Sequence, residues 1–321
     1  MKKIITLLFI VLLVLCGCTK KEETVEPEVI DTSSLSIVSP TGAPVLAFYN
    51  QMENENYTRV SADAIGALWT GDNSPDVIVV DLTSGIKAIE NGADYKLGAV
   101  LTFGNFYLAG TGNDEDKELN TGDSVVLFGN ENMLPNKVWH YLFDEEFDEN
   151  LVYEGNAQLA AGALASGKSS EGNDVDYVFI AEPALTASLK NNENAYVYMD
   201  IQEAYKNKSG LDMIQATLFI NNRVSEETGK AFLDELEKSI NDGLNNPTLI
   251  EEGLSVYSGE EAVTQYGFNP AVVLNVLNRK NALGNNAMGL GFKRAYDIKN
   301  EIDAFLNVFG IEDTGEEIYF R

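Results

Sequence analysis

The chain has 321 residues, with 22 Lys and Arg against 50 Asp and Glu, a net charge of −28, a single histidine and two cysteines. Such a negative field repels nucleic acid and anionic lipid surfaces, so neither is an expected partner. With one histidine a His-rich zinc site is excluded, and a Ser-His-Asp triad would have to use His140.

Lys2 and Lys3 precede an apolar run from Ile4 to Leu15, followed by Leu15-Cys16-Gly17-Cys18. A charged start, a short apolar core and small residues at the cut describe a secretory signal peptide over residues 1–17. The run is too short to cross about 30 Å of hydrocarbon comfortably. The last four residues resemble the lipobox of bacterial lipoproteins, which implies cleavage before Cys18 and lipid attachment to its thiol. Cys16 would leave with the signal, so the mature chain would have no disulfide, thiol nucleophile or Cys-based metal site. Residues 18–33 are charged, contain Pro27 and carry few large apolar side chains; they read as a disordered tether.

From Ser34 onward the pattern alternates. "LSIVS" reads as a strand leading through Ser39–Pro44 into an amphipathic helix, "PVLAFYNQMENE". "DVIVVDL" is followed by the helical "TSGIKAIENG", then by the strands "AVLTF", "FYLAGT" and "SVVLFG". The helices "PNKVWHYLFDEEF" and "NAQLAAGALASG" precede "DYVFIAE", the helix "PALTASLKNN", and the strands "AYVYMD" and "IQATLFIN". "DVIVVDL" and "DYVFIAE" are almost continuously apolar, as parallel strands covered on both faces are. Strand, short loop and helix in alternation argue for α/β architecture. Beyond Asn222 the chain becomes mostly helical: Ser225 caps a helix with Glu226 and Glu227 in its first turn, and Asn269-Pro270 opens "PAVVLNVLNRK".

Five strand-to-helix junctions carry small or amide-bearing residues: Ser39, Thr41, Gly42 and Ala43; Asp81, Thr83 and Ser84; Asn130 and Asn132; Gly155 and Asn156; and Glu182. In open α/β sheets ligands sit beyond the carboxyl ends of the strands, where helix N-termini offer unpaired N–H groups. Any such loop needs small polar residues, so it is the series of five that points to a binding cleft. Trp69, Phe103, Phe106 and Tyr107 lie near these loops and could stack on a planar ligand, although each also fits a core position. Arg59 and Arg279 are candidate partners for an anion. His140, in "KVWHYLF", sits among core-like neighbours, and Asp144, Glu145 and Glu146 read as a solvated helix end rather than an acid/base pair.

"SPTGAPVLAFYNQM", "PDVIVVDLTSGIKAIENGADYKLGAVLTFGNFYLAGTG", "VVLFGNENMLPNKVWHYL", "DYVFIAEPALTASLKNN" and the tail "LNRKNALGNNAMGLGFKRAYDIKNEIDAFLNVF" together resemble the solute-binding lipoproteins of ABC importers. The branch they resemble is the nitrate/taurine type, which includes receptors for thiamine precursors. The resemblance implies an α/β, two-lobed periplasmic-binding-protein type II fold, with parallel-rich sheets in each lobe and two crossing hinge segments. Lobe 1 would comprise residues 34–108 and 214–321, and lobe 2 residues 109–213. The ligand would lie between them, against the five junctions and Asn105 and Phe106 at the first crossing. It implies a monomer that binds a small molecule, works with an ABC permease and its ATPase, and touches the extracytoplasmic face of the bacterial membrane through its lipid alone. No cofactor, metal or catalytic residue is expected; the enzymes related to thiamine-precursor receptors depend on His and Cys residues absent from this sequence. The same fold would also serve a surface sensory or interaction protein without transport. Helix N-termini suit sulfonate, nitrate, carboxylate or phosphate groups, whereas aromatic neighbours and few basic residues near the loops favour a neutral planar compound.

Overall fold

A computed structural model describes residues 30–113, 117–312 and 315–321. The expected signal peptide, Cys18 and residues 18–29 of the expected tether lie outside the described residues. The tether's last residues do not hang free: Asp31–Arg321 form one compact unit. Asn56 Nδ2 donates to Ser33 O at 3.0 Å, and the Thr32 hydroxyl donates to the Glu235 carboxylate.

The strands in chain order are β1 (Ile37–Pro40), β2 (Tyr57–Val60), β3 (Val77–Asp81), β4 (Tyr95–Thr102), β5 (Phe106–Gly110), β6 (Val125–Phe128), β7 (Leu151–Glu154), β8 (Tyr177–Ala181), β9 (Tyr196–Asp200), β10 (Ala216–Asn221) and β11 (Leu290–Arg294). They form two sheets, ordered β11-β4-β10-β3-β1-β2 and β7-β6-β8-β5-β9. In each sheet the strands that feed helices are mutually parallel: β1 with β2 and β3, and β6 with β7 and β8. The two strands that carry the chain between sheets run the other way. β5 is antiparallel to β8 and β9, and β10 is antiparallel to β3 and β4. The reason is geometric: a strand arriving from the other sheet starts at the edge where its neighbours end. The sheets are therefore mixed, parallel where strand and helix alternate and antiparallel at the crossings and at the edge strand β11, which pairs with β4.

The first crossing falls at Phe103–Asn105, between β4 and β5. The expected boundary at residues 108/109 would cut β5, whose Phe106–Gly110 pair with β8 along their length. Cross-strand hydrogen bonding, which apolar periodicity does not register, assigns all of β5 to the second sheet.

The continuous apolar strands are buried on both faces. Val77–Val80 of β3 and all of β10 are buried, with different side chains entering different cores. One core, including Val77, Val79, Leu218 and Ile220, lies under the C-terminal helices. Another, including Ile78, Val80 and Phe219, continues to Phe106, Leu108 and Phe179 of the second sheet. A third packs Ala109, Val178 and Ile180 beneath the helix Ala157–Ser166. The segment expected as an amphipathic helix after β1 is a 3-10 helix, Ala43–Gln51, with Ala43, Val45, Leu46, Ala47, Phe48 and Tyr49 all buried. It is enclosed on several sides, and of its nine residues only Asn50 is exposed.

The helix Lys299–Val308 and Phe309 after it brace the second half. Phe305 and Phe309 stack about Tyr205 with centroids at 5.7 and 6.4 Å, and Phe309 meets Tyr141 at 6.3 Å. Such pairs contribute about 0.5–1.5 kcal/mol each beyond area burial. On the first sheet, Asp76 accepts from Ser36 N (2.9 Å), Ser36 Oγ (2.7 Å) and Arg223 Nε (2.7 Å), tying the start of β1 to the chain leaving β10. Burial works to raise this carboxyl's pKa, but the Ser36 and Arg223 hydrogen bonds outweigh it and hold the value below the ordinary one.

Gly85 lies in helix α1 (Leu82–Glu90), against β10; a Cβ there would fall within the Phe219 ring. Gly85→Ala is expected to destabilise the protein by about 1–3 kcal/mol, because the ring sits in a filled core. Urea unfolding checks this, and a midpoint equal to that of the unaltered protein would refute the packing described.

Candidate functional site

A cavity of about 550 Å³ opens where the carboxyl ends of the parallel strands of both sheets converge. From the first half it is lined by Thr41, Gly42, Ala43, Asp81 and Ser84; from the second by Asn130, Asn132 and Glu182; and at the crossing by Asn105 and Phe106. These expected residues thus share one cavity. Ser39, Thr83, Gly155 and Asn156 are not among its lining residues. Ser39 is buried behind it, 2.7 Å from Tyr57 Oη, and Thr83 is buried in the turn below Asp81. Gly155 is exposed. Asn156 is occupied as a helix cap, and Ala157 after it lines the wall.

The helix starts are less available than the sequence implies. Asp81 Oδ1 caps α1, accepting from Ser84 N at 3.0 Å and from Thr83 Oγ1 at 2.7 Å. Asn156 Oδ1 accepts from Gln158 N and Leu159 N, both at 3.0 Å, at the start of Ala157–Ser166. Glu182 accepts from Thr186 N at 3.0 Å and from Thr186 Oγ1 at 2.8 Å. At the first junction, Thr41 N and Gly42 N donate to Val60 O and Tyr266 O at 2.8 and 2.7 Å. Gly42 has φ +105°, which an L side chain rarely adopts and which bends β1 into the 3-10 helix. The expectation of unpaired N–H groups at all five junctions is therefore corrected. Side-chain oxygens of the chain itself, two of them from carboxylates, hold three of the helix starts. The helix α2 (Leu134–Leu142) differs: its N-cap, Met133, makes no side-chain cap, and Met133, Leu134 and Pro135 line the cavity.

The cavity's basic residues, Lys87 and Lys137, were not among the residues picked out from the sequence. Lys137 stands in the first turn of α2. Its Nζ donates to Thr83 Oγ1 at 2.7 Å, which joins the two halves across the cleft. Burial, the largest cause, pushes its pKa below the ordinary 10.5; Asp81 pulls it up and Lys87 pushes it down. On another side Gln158 Nε2 donates to Val263 O at 2.8 Å, a second contact between halves. Position in a helix's first turn, two residues after Pro135, was the available signal for Lys137.

Trp69 lines the cavity, edge-on to Tyr95 and Phe219 at 5.1 and 5.5 Å. Phe106 joins it, with Phe128 at 5.5 Å. Phe103 and Tyr107 are not lining residues: Lys293 Nζ lies 5.2 Å from the Phe103 ring, and Tyr107 is buried in the third core. Burial, then Asp200 and Glu182, raise the pKa of the Tyr107 hydroxyl. Arg59 and Arg279 are committed elsewhere. Arg59 lies between the Tyr57 and Tyr257 rings at 5.0 and 5.4 Å and donates to Gln265. Arg279 pairs with Glu182, which is 1% exposed. His140 is half-exposed rather than core-packed, with Nδ1 3.2 Å from Asp148 Oδ2. Among the described residues no group of three or more His, Cys, Asp or Glu is placed to hold a metal, and no helix is long and apolar enough to cross a membrane.

No protein-family model matches the chain, and no curated protein does. Solved structures do match. An ABC transporter protein from Parabacteroides distasonis is 17% identical over 89% of this chain and 98% of its own, with a TM-score of 0.68. The ligand-binding component of an ABC-type import system from Staphylococcus aureus, with zinc bound, is 11% identical over 89% and 96%, with a TM-score of 0.60. The alkanesulfonate-binding protein SsuA from Xanthomonas axonopodis pv. citri, bound to MOPS, is 15% identical over 87% and 94%, with a TM-score of 0.55. At these identities the likeness establishes the fold, which is the two-lobed α/β fold of periplasmic binding proteins.

The depressed Lys137 pKa has a definite sign in stability. Between its folded value and 10.5 the unfolded chain binds more protons, so this residue's contribution rises with pH across that window and its penalty is fully present below it. Lys137→Met removes the penalty. Its urea midpoint relative to the unaltered protein is expected to be highest near neutrality and to decline as pH approaches 10.5. A difference that stays constant from pH 7 to pH 10 on the same buffer series refutes the desolvated ammonium.

Proposed function

We propose that the protein is the lipid-anchored, extracytoplasmic solute-binding component of an ABC importer, a monomer and not an enzyme. The observation that carries this reading is the cavity between two sheets that are joined by two crossings and touch again through Lys137–Thr83 and Gln158–Val263. Breaking those two contacts opens the cleft, and closing it encloses a solute, the hinge motion that two-lobed binding proteins use. The lobes of this proposal are residues 34–102 with 216–321, and 106–210, joined by the short segments between them. The matches with import-system proteins support the reading at the level of fold.

The solute in this reading is a small organic molecule. About 550 Å³ is within the range that holds such ligands. Trp69, Phe106 and Phe128 offer apolar walls, and the capped helix starts at Asp81, Asn156 and Glu182 leave few backbone donors for a bare oxyanion. Lys137 supplies a charged donor, which suits a solute carrying an acceptor group as well as a planar apolar body. His140, the single histidine, lies outside the cavity lining and favours capture over chemistry.

A thermal-shift screen against a library of small metabolites tests the binding reading. A compound at one hundred times its Kd stabilises a receptor by about 2.7 kcal/mol, and it is recovered unchanged. A library without a single stabilising compound, or recovery of a converted product, overturns it. The anchor has its own test in the producing cell: Cys18→Ala is expected to abolish labelling by radioactive palmitate and to move the protein out of the membrane fraction. Unaltered labelling refutes Cys18 as the attachment point.

A further inference from the structure

A third connection joins the two halves besides the two crossings. After β11 the chain makes a short 3-10 turn, Ala295–Ile298, against β4 and β11, and then forms the helix Lys299–Val308. The first part of this helix is tied to the first half. Tyr319 Oη donates to Asp303 Oδ1 at 2.9 Å, and Lys299 Nζ donates to Glu316 Oε1 at 3.2 Å. Tyr319 in turn bridges to Leu97 of β4, and Phe320 N donates to Leu97 O at 2.9 Å. The far end of the helix grips the other half. Phe305 and Phe309 pack on Tyr205, which stands on the helix Ile201–Ser209 after β9, with centroids at 5.7 and 6.4 Å. Phe309 also meets Tyr141 of α2 at 6.3 Å. Phe305 and Tyr205 are fully buried.

Tyr141 follows Lys137 by four residues, so the two stand one turn apart on the same side of α2. α2 is therefore held to the first half twice: directly, through Lys137 and Thr83, and indirectly, through Tyr141 and the helix that carries Phe305. When the second half swings away, a tie must give at one end of that helix. Separating the buried rings would expose apolar surface to water. The phenol, the carboxylate and the exposed Lys299–Glu316 pair can instead exchange their hydrogen bonds for water at little cost. The end that lets go is the one at Lys299 and Asp303.

We propose that the helix Lys299–Val308 is a strap that restrains opening of the cleft. Its aromatic end stays on the second half, and its ties to Tyr319 and Glu316 release as the halves part. Tyr141, Tyr205, Phe305 and Phe309 do not line the cavity, so the strap governs opening without touching the solute. The proposal goes beyond the solute-binding reading and rests on its hinge motion.

Double electron–electron resonance on the mature protein in detergent, without ligand, tests it. Nitroxides at Glu171→Cys and Glu260→Cys, exposed positions in opposite halves, report the separation. The protein with an unaltered strap is expected to give mainly the short distance of the closed arrangement. Tyr319→Phe keeps every ring and removes only the hydroxyl; it is expected to raise the long-distance fraction about threefold, as loss of one ordinary hydrogen bond does. Phe309→Ala is expected to raise that fraction as well, and Phe309→Tyr, which keeps the ring, to leave it unaltered. For compounds found in the library screen, each opening variant is expected to weaken binding by one common factor, because the population of the closed, binding-competent state falls alike for every solute. Distances unchanged in Tyr319→Phe and in a cooperatively melting Phe309→Ala overturn the strap and leave the receptor reading standing. So does a protein already wholly open with its strap unaltered, or a weakening that differs from compound to compound. If Phe309→Ala does not fold, Tyr319→Phe alone decides. Failure of every library compound removes the receptor reading, while the distances still decide the strap.

Discussion

The architecture depends on the backbone hydrogen bonds that hold the two crossings. Gln215 N bonds to Thr102 O, Leu82 N to Gln215 O, Phe103 N to Gly289 O and Glu182 N to Asn105 O. These few bonds clamp the outgoing and returning segments to each other and to the strand ends of both sheets. They also explain why β5 and β10 run against their neighbours: each starts at the clamp, where the helix-feeding strands stop. The cavity is the space those strand ends leave around the clamp.

The interior of that space is a problem of competing hydrogen bonds. Helix starts that face a cleft attract negative charge, and here Asp81 and Glu182 supply it from within the chain, with Asn156 satisfying a third. The carboxylate of Glu182 is in turn neutralised by Arg279. A protein carrying a net charge of −28 thus places acids even where a bound anion would otherwise sit. The cavity's lining is polar at Lys137 and apolar along Trp69, Phe106 and Phe128.

Much of the fold was legible because apolar runs and turn residues are local signals. "DVIVVDL", "DYVFIAE" and "IQATLFIN" are strands because nearly every side chain in them is covered. The short edge strands Tyr57–Val60 and Leu151–Glu154 were harder to see, since each is four residues long and only partly buried. The junction loops were legible as loops, and ten of the fourteen residues picked from them and from the first crossing line one cavity. Their individual roles were not legible. Asn156 and Asp81 look alike in sequence whether they cap a helix or face a ligand, because both roles need a short side chain with an oxygen.

The sequence by itself determined the alternation of strands and helices, the apolar cores, the acidic surface and the turns at which a cleft could form, since each follows from side-chain polarity and backbone preference within a few residues. Only the tertiary structure decided which helix starts are already capped, that Lys137 of the second half reaches Thr83 of the first, and that Gln215 is left with an unpaired oxygen. The Lys137–Thr83 bond joins residues 54 positions apart. Whether a polar group is satisfied depends on what the rest of the chain brings within hydrogen-bonding distance, and no local pattern records that.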